Sequence, residues 1–272
     1  MEEYRPFQSM TETLGKCGSV RCKQYPPGGH LRPYIYCYWA MTSEADLEEP
    51  ILHRVVPDGC VDIIFDLNGH SYEEVASLAG TMTKPISAPL ENRVNYLAVR
   101  FQPGSFLHFF DSPADHYADQ IMPLEMISGK REHELVERLI GENHIGNRIG
   151  LLEDYLTRLL MRSNKSDPAV TIAVCNILKY KGDVTILQLS RSANCSQRQL
   201  CRKFCKWVGV SPKSFCRIIR FQSTLRMLRS RLKRNLLSIA LDGGYYDQSH
   251  FIHEFNSYFG LTPSEFMARN NF

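Results

Sequence analysis

The sequence predicts an α+β protein: an antiparallel β-barrel or sandwich with trailing helices, then an all-α domain with two helix-turn-helix motifs joined by a long helix. Three observations carry this. Short runs rich in β-branched and aromatic residues, cut by turn formers, fill residues 1–127. Apolar residues at helical spacings of three and four take over from about Ser128. One helix-turn-helix pattern is written twice between Val184 and Arg269, first from Thr185 to Phe204 and again from Leu236 to Phe255.

The strand-like runs include Tyr34-Ile35-Tyr36-Cys37-Tyr38-Trp39, Val61-Asp62-Ile63-Ile64-Phe65-Asp66-Leu67 and Tyr96-Leu97-Ala98-Val99-Arg100-Phe101. Pro26-Pro27-Gly28-Gly29, Pro57-Asp58-Gly59, Asn68-Gly69 and Pro103-Gly104 punctuate them. Many short strands with such turns suit a small barrel or sandwich. If it holds a small molecule, inward aromatics, here Tyr36, Trp39, Phe65 and Phe101, would line an apolar pocket; equally, they could only fill the core.

From residue 128 to 162 the pattern is helical. Ile149, Leu152, Tyr155, Leu156, Leu159 and Leu160 form one apolar stripe, which must bury either on the β domain or on the same helix of a second subunit. Residues 163–168, Ser-Asn-Lys-Ser-Asp-Pro, read as a linker ending in an N-cap and a first-turn proline. Residues 169–272 then form the C-terminal domain.

Its net charge separates it from the rest. Of the 32 Lys+Arg and 29 Asp+Glu in the 272 residues, residues 165–272 hold 17 and 6, an excess of 11 positive charges. Residues 1–164 hold 15 and 23, an excess of 8 negative charges. That asymmetry points only the C-terminal part at a polyanion. No apolar run reaches the roughly 20 residues that span a bilayer, and the first residues lack the basic start and apolar core of a signal peptide, so a cytoplasmic protein without a membrane partner is expected.

Other chemistries lack their motifs. The nine cysteines contain no C-x-x-C pair and read as small apolar residues of a reducing compartment. His30, His53, His70, His108 and His116 contain no H-x-H, and no G-x-S-x-G elbow occurs, so no catalytic residue, metal site or cofactor is assigned.

In the first repeat, Thr185 caps a short helix, Asn194 makes the turn and Ser196 caps a second helix with Leu200 and Phe204 inward. Arg198, Cys201 and Arg202 face away, with Lys203 and Lys206 beside them. Arginine can read guanine through O6 and N7, whereas lysine more often meets phosphate. A long helix from Pro212 to about Leu228 follows, with Lys213 in its first turn. In the second repeat Gly244 turns the chain, Asp247 or its neighbour caps, and Gln248, Ser249, His250 and His253 remain for DNA. The expected partner is double-stranded DNA read at two adjacent major-groove segments, which recur about every 34 Å. The first reading helix is basic and the second nearly neutral, so the first is expected to supply most of the affinity.

Two groups of residues carry family resemblances. The run from Ile239-Ala240 through Gly244-Tyr245, Asp247-Gln248-Ser249-His250-Phe251 and Phe255 to Phe259-Gly260-Leu261-Thr262-Pro263-Ser264-Glu265-Phe266 resembles the signature of AraC/XylS-family bacterial transcription regulators. Ser196, Gln199-Leu200, Arg202-Lys203-Phe204 and Gly209-Val210-Ser211-Pro212 fit its first motif. The resemblance implies a DNA-binding domain over roughly residues 170–270, with base-facing positions at Arg198, Cys201, Arg202, Gln248, Ser249, His250 and His253 and phosphate positions at Lys203, Lys206 and Lys213. His253, Cys201 and Met267 depart from the residues usual there. More loosely, Val56–Phe65 and Val99–Phe106 resemble a cupin-like sensory domain, which implies a small-molecule effector. The regulator resemblance as a whole implies RNA polymerase as a further partner, recruited or obstructed, and dimerisation through the helices after the barrel. Two other readings stay open: an enzyme targeted to DNA, with chemistry in the barrel or at a reactive cysteine, and a ligand-free regulator whose N-terminal domain only dimerises.

Overall fold

The computed structural model describes Tyr4, Pro6, Phe7 and residues 20–69, 71–230 and 235–270. The chain runs β1 (Val20–Tyr25), β2 (Ile35–Ser43), β3 (Ile51–Val55), β4 (Val61–Asp66), α1 (Tyr72–Val75), β5 (Ala76–Ala79), β6 (Ile86–Leu90) and β7 (Asn95–Phe101). Two single-turn 3-10 helices, Phe106–His108 and Ala114–Tyr117, lead to β8 (Ile121–Pro123). Helices follow: α2 (Glu125–Ser128), a 3-10 turn at Gly129–Glu132, α3 (His133–Gly141) and α4 (Ile145–Arg162). The C-terminal helices are α5 (Pro168–Lys179), α6 (Ile186–Ser192), α7 (Gln197–Val208), α8 (Pro212–Arg229), α9 (Leu236–Asp242), α10 (Gln248–Phe259) and α11 (Pro263–Asn270).

The N-terminal part is an antiparallel sheet ordered β1-β2-β7-β4-β5-β8, with β3 and β6 paired separately as a ribbon. The expected closed barrel is therefore corrected to an open arrangement. Closure needs a continuous ladder around the strands, whereas β3 and β6 spend their hydrogen bonds on each other from Ile51↔Leu90 to Val55↔Ile86. The ribbon faces the sheet across a cavity lined by both.

Both faces of the sheet's central strands are buried. Cys37, Trp39, Met41 and Ala98 turn toward the ribbon, while Tyr38, Ile63, Phe65, Leu97, Val99 and Phe101 pack under α3 and α4 with Leu135, Leu139, Leu152, Leu156 and Leu159. The apolar stripe of α4 thus buries on the β domain. Covering both faces explains why these strands read as nearly continuous apolar runs.

The C-terminal helices share a second core, centred on Phe204, Phe215, Phe221, Phe251, Phe255, Phe259 and Phe266, each almost inaccessible to solvent. Helix α8 crosses its middle and is apolar on several sides, because α5, α7, α9, α10 and an N-terminal loop all pack on it. Among the described residues no helix is long and apolar enough to cross a membrane.

Candidate nucleic-acid interface

Each helix pair in the C-terminal part is punctuated by its own sequence. Thr185 accepts from Gln188 N at 3.2 Å while the Gln188 side chain returns to Thr185 N at 2.9 Å, a reciprocal cap that starts α6. Ala193-Asn194-Cys195 turns the chain, with Asn194 at φ 51, a left-handed backbone that asparagine tolerates. Ser196 and Gln199 repeat the reciprocal cap and start α7. In the second pair Asn235 caps α9, Gly244 turns at φ 75, and Asp247 accepts from His250 N at 2.7 Å to start α10.

Helix α7 buries Leu200, Phe204, Trp207 and Val208, which leaves Arg198, Arg202 and Lys206 exposed and Cys201 and Lys203 half-buried. Lys203 is not free: its Nζ sits 3.0 Å from Asp167 Oδ2. Helix α10 buries Phe251, Glu254, Phe255, Tyr258 and Phe259; Ser249, His250 and His253 are exposed and Gln248 half-buried. The His250 ring lies against Tyr245 at 5.3 Å between centroids, with Nε2 3.8 Å from Glu254 Oε2.

Two basic residues escaped the sequence assignment. Lys213, Arg217 and Arg220 recur at four and three along α8 and, with His250, line a groove of about 600 Å³ between α6 and α10. Their spacing was the available signal, since residues so placed share one helix face. Arg217 also ties α8 to the second pair, its Nε 2.7 Å from the buried Glu254 Oε2 of α10. That contact and the hydrogen bond it makes raise the Arg217 pKa further.

The β domain presses on the far end of α7. Trp207 meets His108 edge-on at 4.9 Å, and Thr81 Oγ1 donates to Val208 O across 2.6 Å. Burial holds His108 below the usual histidine range. Gly209 takes φ 93, and a Cβ there would stand 3.0 Å from Thr81 Oγ1. A cleft of about 560 Å³ lies between, where Asp115, His116 and Asp167 face Arg202, Lys203 and Lys206.

The second feature is the cavity between sheet and ribbon, about 260 Å³, walled by Trp39, Met41, Ile64, Met82, Leu90 and Tyr96 among others. Of the aromatics suggested for a pocket, Trp39 lines it. Phe65 and Phe101 are corrected: they occupy the opposite sheet face under the helices. Tyr36 sits at the β2–β7 register shift and packs beside the ribbon-side core without lining the cavity. Arg100 also lines the cavity, paired cross-strand with Asp62 through Nε at 2.9 Å and Nη2 at 2.6 Å, while Nη1 stands 3.2 Å from Asp58. Nη1 makes no aligned hydrogen bond despite that distance, so the Asp58 contact is a charge contact only.

Among the described residues no group of three or more His, Cys, Asp or Glu is placed to hold a metal ion. Cys17 and His70, both weighed in the sequence, lie outside the described residues.

Comparison with known proteins adds two family matches. Residues 189–269 match a family described as a helix-turn-helix domain, and residues 23–123 match one described as a domain of unknown function (DUF6597). The chain is 33% identical over 101 residues to an uncharacterised HTH-type transcriptional regulator of Haemophilus influenzae, covering 37% of this chain and 34% of that one. It is 30% identical over 88 residues to the HTH-type transcriptional regulator MtrA of Neisseria gonorrhoeae, covering 32% and 29%. The chain thus spans about a third of the length of these curated relatives. The C-terminal domain of AraT, a response regulator from Geobacillus stearothermophilus, is 26% identical with a TM-score of 0.36, covering 40% of this chain and 89% of that one.

Proposed function

We propose, from the premise that residues 189–269 are an AraC-type helix-turn-helix domain, that the chain is a sequence-specific DNA-binding transcriptional regulator controlled through its N-terminal β domain. One observation carries the reading. Helices α7 and α10 each follow a capped turn, bury an apolar stripe and leave a polar face outward, and α8 lies packed between them. In this reading the two pairs are two helix-turn-helix units, and α8 holds their second helices for adjacent major-groove segments.

The assignments follow chemistry. Arg198 and Arg202 reach base edges from α7, with Cys201 beside them; Gln248, Ser249, His250 and His253 do so from α10. Lys206 and Lys213 meet phosphate, joined by Arg217 and Arg220, and Lys203 joins them once released from Asp167. Residues 1–127 act as the cupin-like sensory part, 128–162 as its helical cover, 163–168 as the linker and 169–272 as the DNA-binding part. A small effector, RNA polymerase and a second copy of the chain are the further partners of such a cytoplasmic regulator.

Selection of bound DNA from a random duplex library tests the reading. The purified chain should enrich one motif with two informative blocks about one helical turn apart. A bound pool with no enrichment over input overturns it.

A further inference from the structure

The cavity between the six-stranded sheet and the β3–β6 ribbon has a chemical character of its own. Its walls are mostly apolar, from Trp39, Met41, Ile64, Met82 and Leu90. Its one guanidinium, Arg100, is already faced by two carboxyl groups, Asp62 in a forked hydrogen-bonded pair and Asp58 at 3.2 Å. An anionic ligand would find that charge answered twice over and would pay for its own dehydration. His53 is different. It is 7% exposed, lines the cavity, and its Nδ1 finds no hydrogen-bond partner. Burial, and secondarily Arg100, push its pKa down to about 4, so the ring is neutral near pH 7. Buried polar atoms are rarely left unmatched without a reason. An engineered apolar cavity of about 150 Å³ takes up benzene, so about 260 Å³ suits one ring with small substituents.

The same wall leads out to the DNA-binding part. Next to His53, Arg54 lies over the Phe259 ring at the end of α10, 5.6 Å to its centre. Beyond β3, Val56 lines the cavity and joins the core around α8. Pro57 O accepts from the fully buried Gln222 Nε2 of α8 at 2.8 Å, and Gly59 is pressed on Phe215 of the same helix.

We propose that this cavity binds a small, uncharged, largely apolar molecule bearing one hydrogen-bonding group for His53, and that residues 54–59 transmit its occupancy to α8 and α10. Only the transmission rests on the regulator reading; the site stands on its own geometry.

Calorimetric titration of the full chain with three ring-matched probes tests the site. 4-Methylphenol should bind saturably at one per chain. Toluene should bind about fivefold more weakly for want of one hydrogen bond, and 4-methylbenzoate at least about tenfold more weakly because its charge must be buried. His53→Phe should bring 4-methylphenol to the toluene level, and His53→Asn should recover part of the difference. Absence of saturable binding, equal binding of the carboxylate, or an unchanged His53→Phe overturns the site. For transmission, saturating 4-methylphenol should change the affinity for the selected DNA severalfold in the native chain and leave it unchanged in Gln222→Leu and Arg54→Leu, both of which still bind the probe. No change in the native chain overturns the transmission. A chain that selects no DNA sequence refutes the regulator reading, and the calorimetry still decides the site.

Discussion

Arg217 of α8 and Glu254 of α10 meet at 2.7 Å, and the carboxylate is 2% exposed while the guanidinium is about half exposed. The pair bridges α8 and α10, so the angle between them is set by a charge contact as well as by packing. Arg217→Ala strands a buried carboxylate whose Oε1 already lacks a partner. Solvent at the Arg217 end discounts the full cost of breaking a buried pair, which leaves about 2 kcal/mol of expected destabilisation in urea melts. Arg217→Ala with Glu254→Gln should recover part of it.

Helix α7 offers a direct contrast between two exposed cations. Arg202→Ala should weaken binding of the selected DNA by about 1–3 kcal/mol and relax preference at one base pair. Lys206→Ala should weaken specific and random DNA alike and lower the salt slope by about one. Gel-shift titrations of both variants on both DNAs measure this; equal losses on both DNAs for Arg202→Ala would remove its base-reading role.

His53 gives the fold a pH dependence with a defined direction. Its folded pKa of about 4 lies below its ordinary value of 6.5, so the unfolded chain binds the extra proton between them. Stability is therefore complete above about pH 6.5 and falls as pH drops toward 4, by roughly 3 kcal/mol from this residue. Denaturant melts at about pH 7 and pH 4.5 should show a steeper loss for the native chain than for His53→Phe, because other groups titrate in both.

Gly59 and Gly129 both take positive φ, 78 and 64, but only Gly59 faces a neighbour: a Cβ there would lie 2.3 Å from Phe215 Cε2, whereas at Gly129 nothing lies within 4 Å. Gly129→Ala should cost only the backbone, whose pairing of φ 64 with ψ −142 essentially glycine alone adopts, on the order of 1–3 kcal/mol. Gly59→Ala should cost about 2–4 kcal/mol by adding overpacking at the junction between β domain and α8. Thermal melts and limited proteolysis of the two variants compare the terms.

Local chemistry made much of this legible in the sequence. Thr185, Ser196 and Asp247 cap the helices they precede, and Asn194 and Gly244 turn where a left-handed residue is required. These signals depend on neighbours within four residues. What escaped depends on partners far along the chain. The period-two alternation of β4 and β7 separates Ile64 from Phe65 and Arg100 from Phe101, yet both sheet faces are buried, so nothing local says which one meets the cavity. Phe65 and Phe101 were misplaced for that reason. Nothing near Arg100 in the sequence marks it as paired; its partner Asp62 stands opposite it in register, 38 residues away. The contact of the Ala114–Tyr117 turn with α7 has no sequence signature, since shape, not pattern, joins them.

One further contact bears on how the molecule is made. Phe7 exchanges two backbone hydrogen bonds with the Gln222 side chain and lies under Arg229, 4.5 Å from its ring centre. The partners are 215 residues apart in sequence. A chain synthesised from its N-terminus therefore holds this segment unmatched until α8 has emerged and folded. At roughly 5–20 residues per second that wait lasts on the order of ten seconds or more. During it the loop at 56–59 also lacks its cover from Gln222 and Phe215.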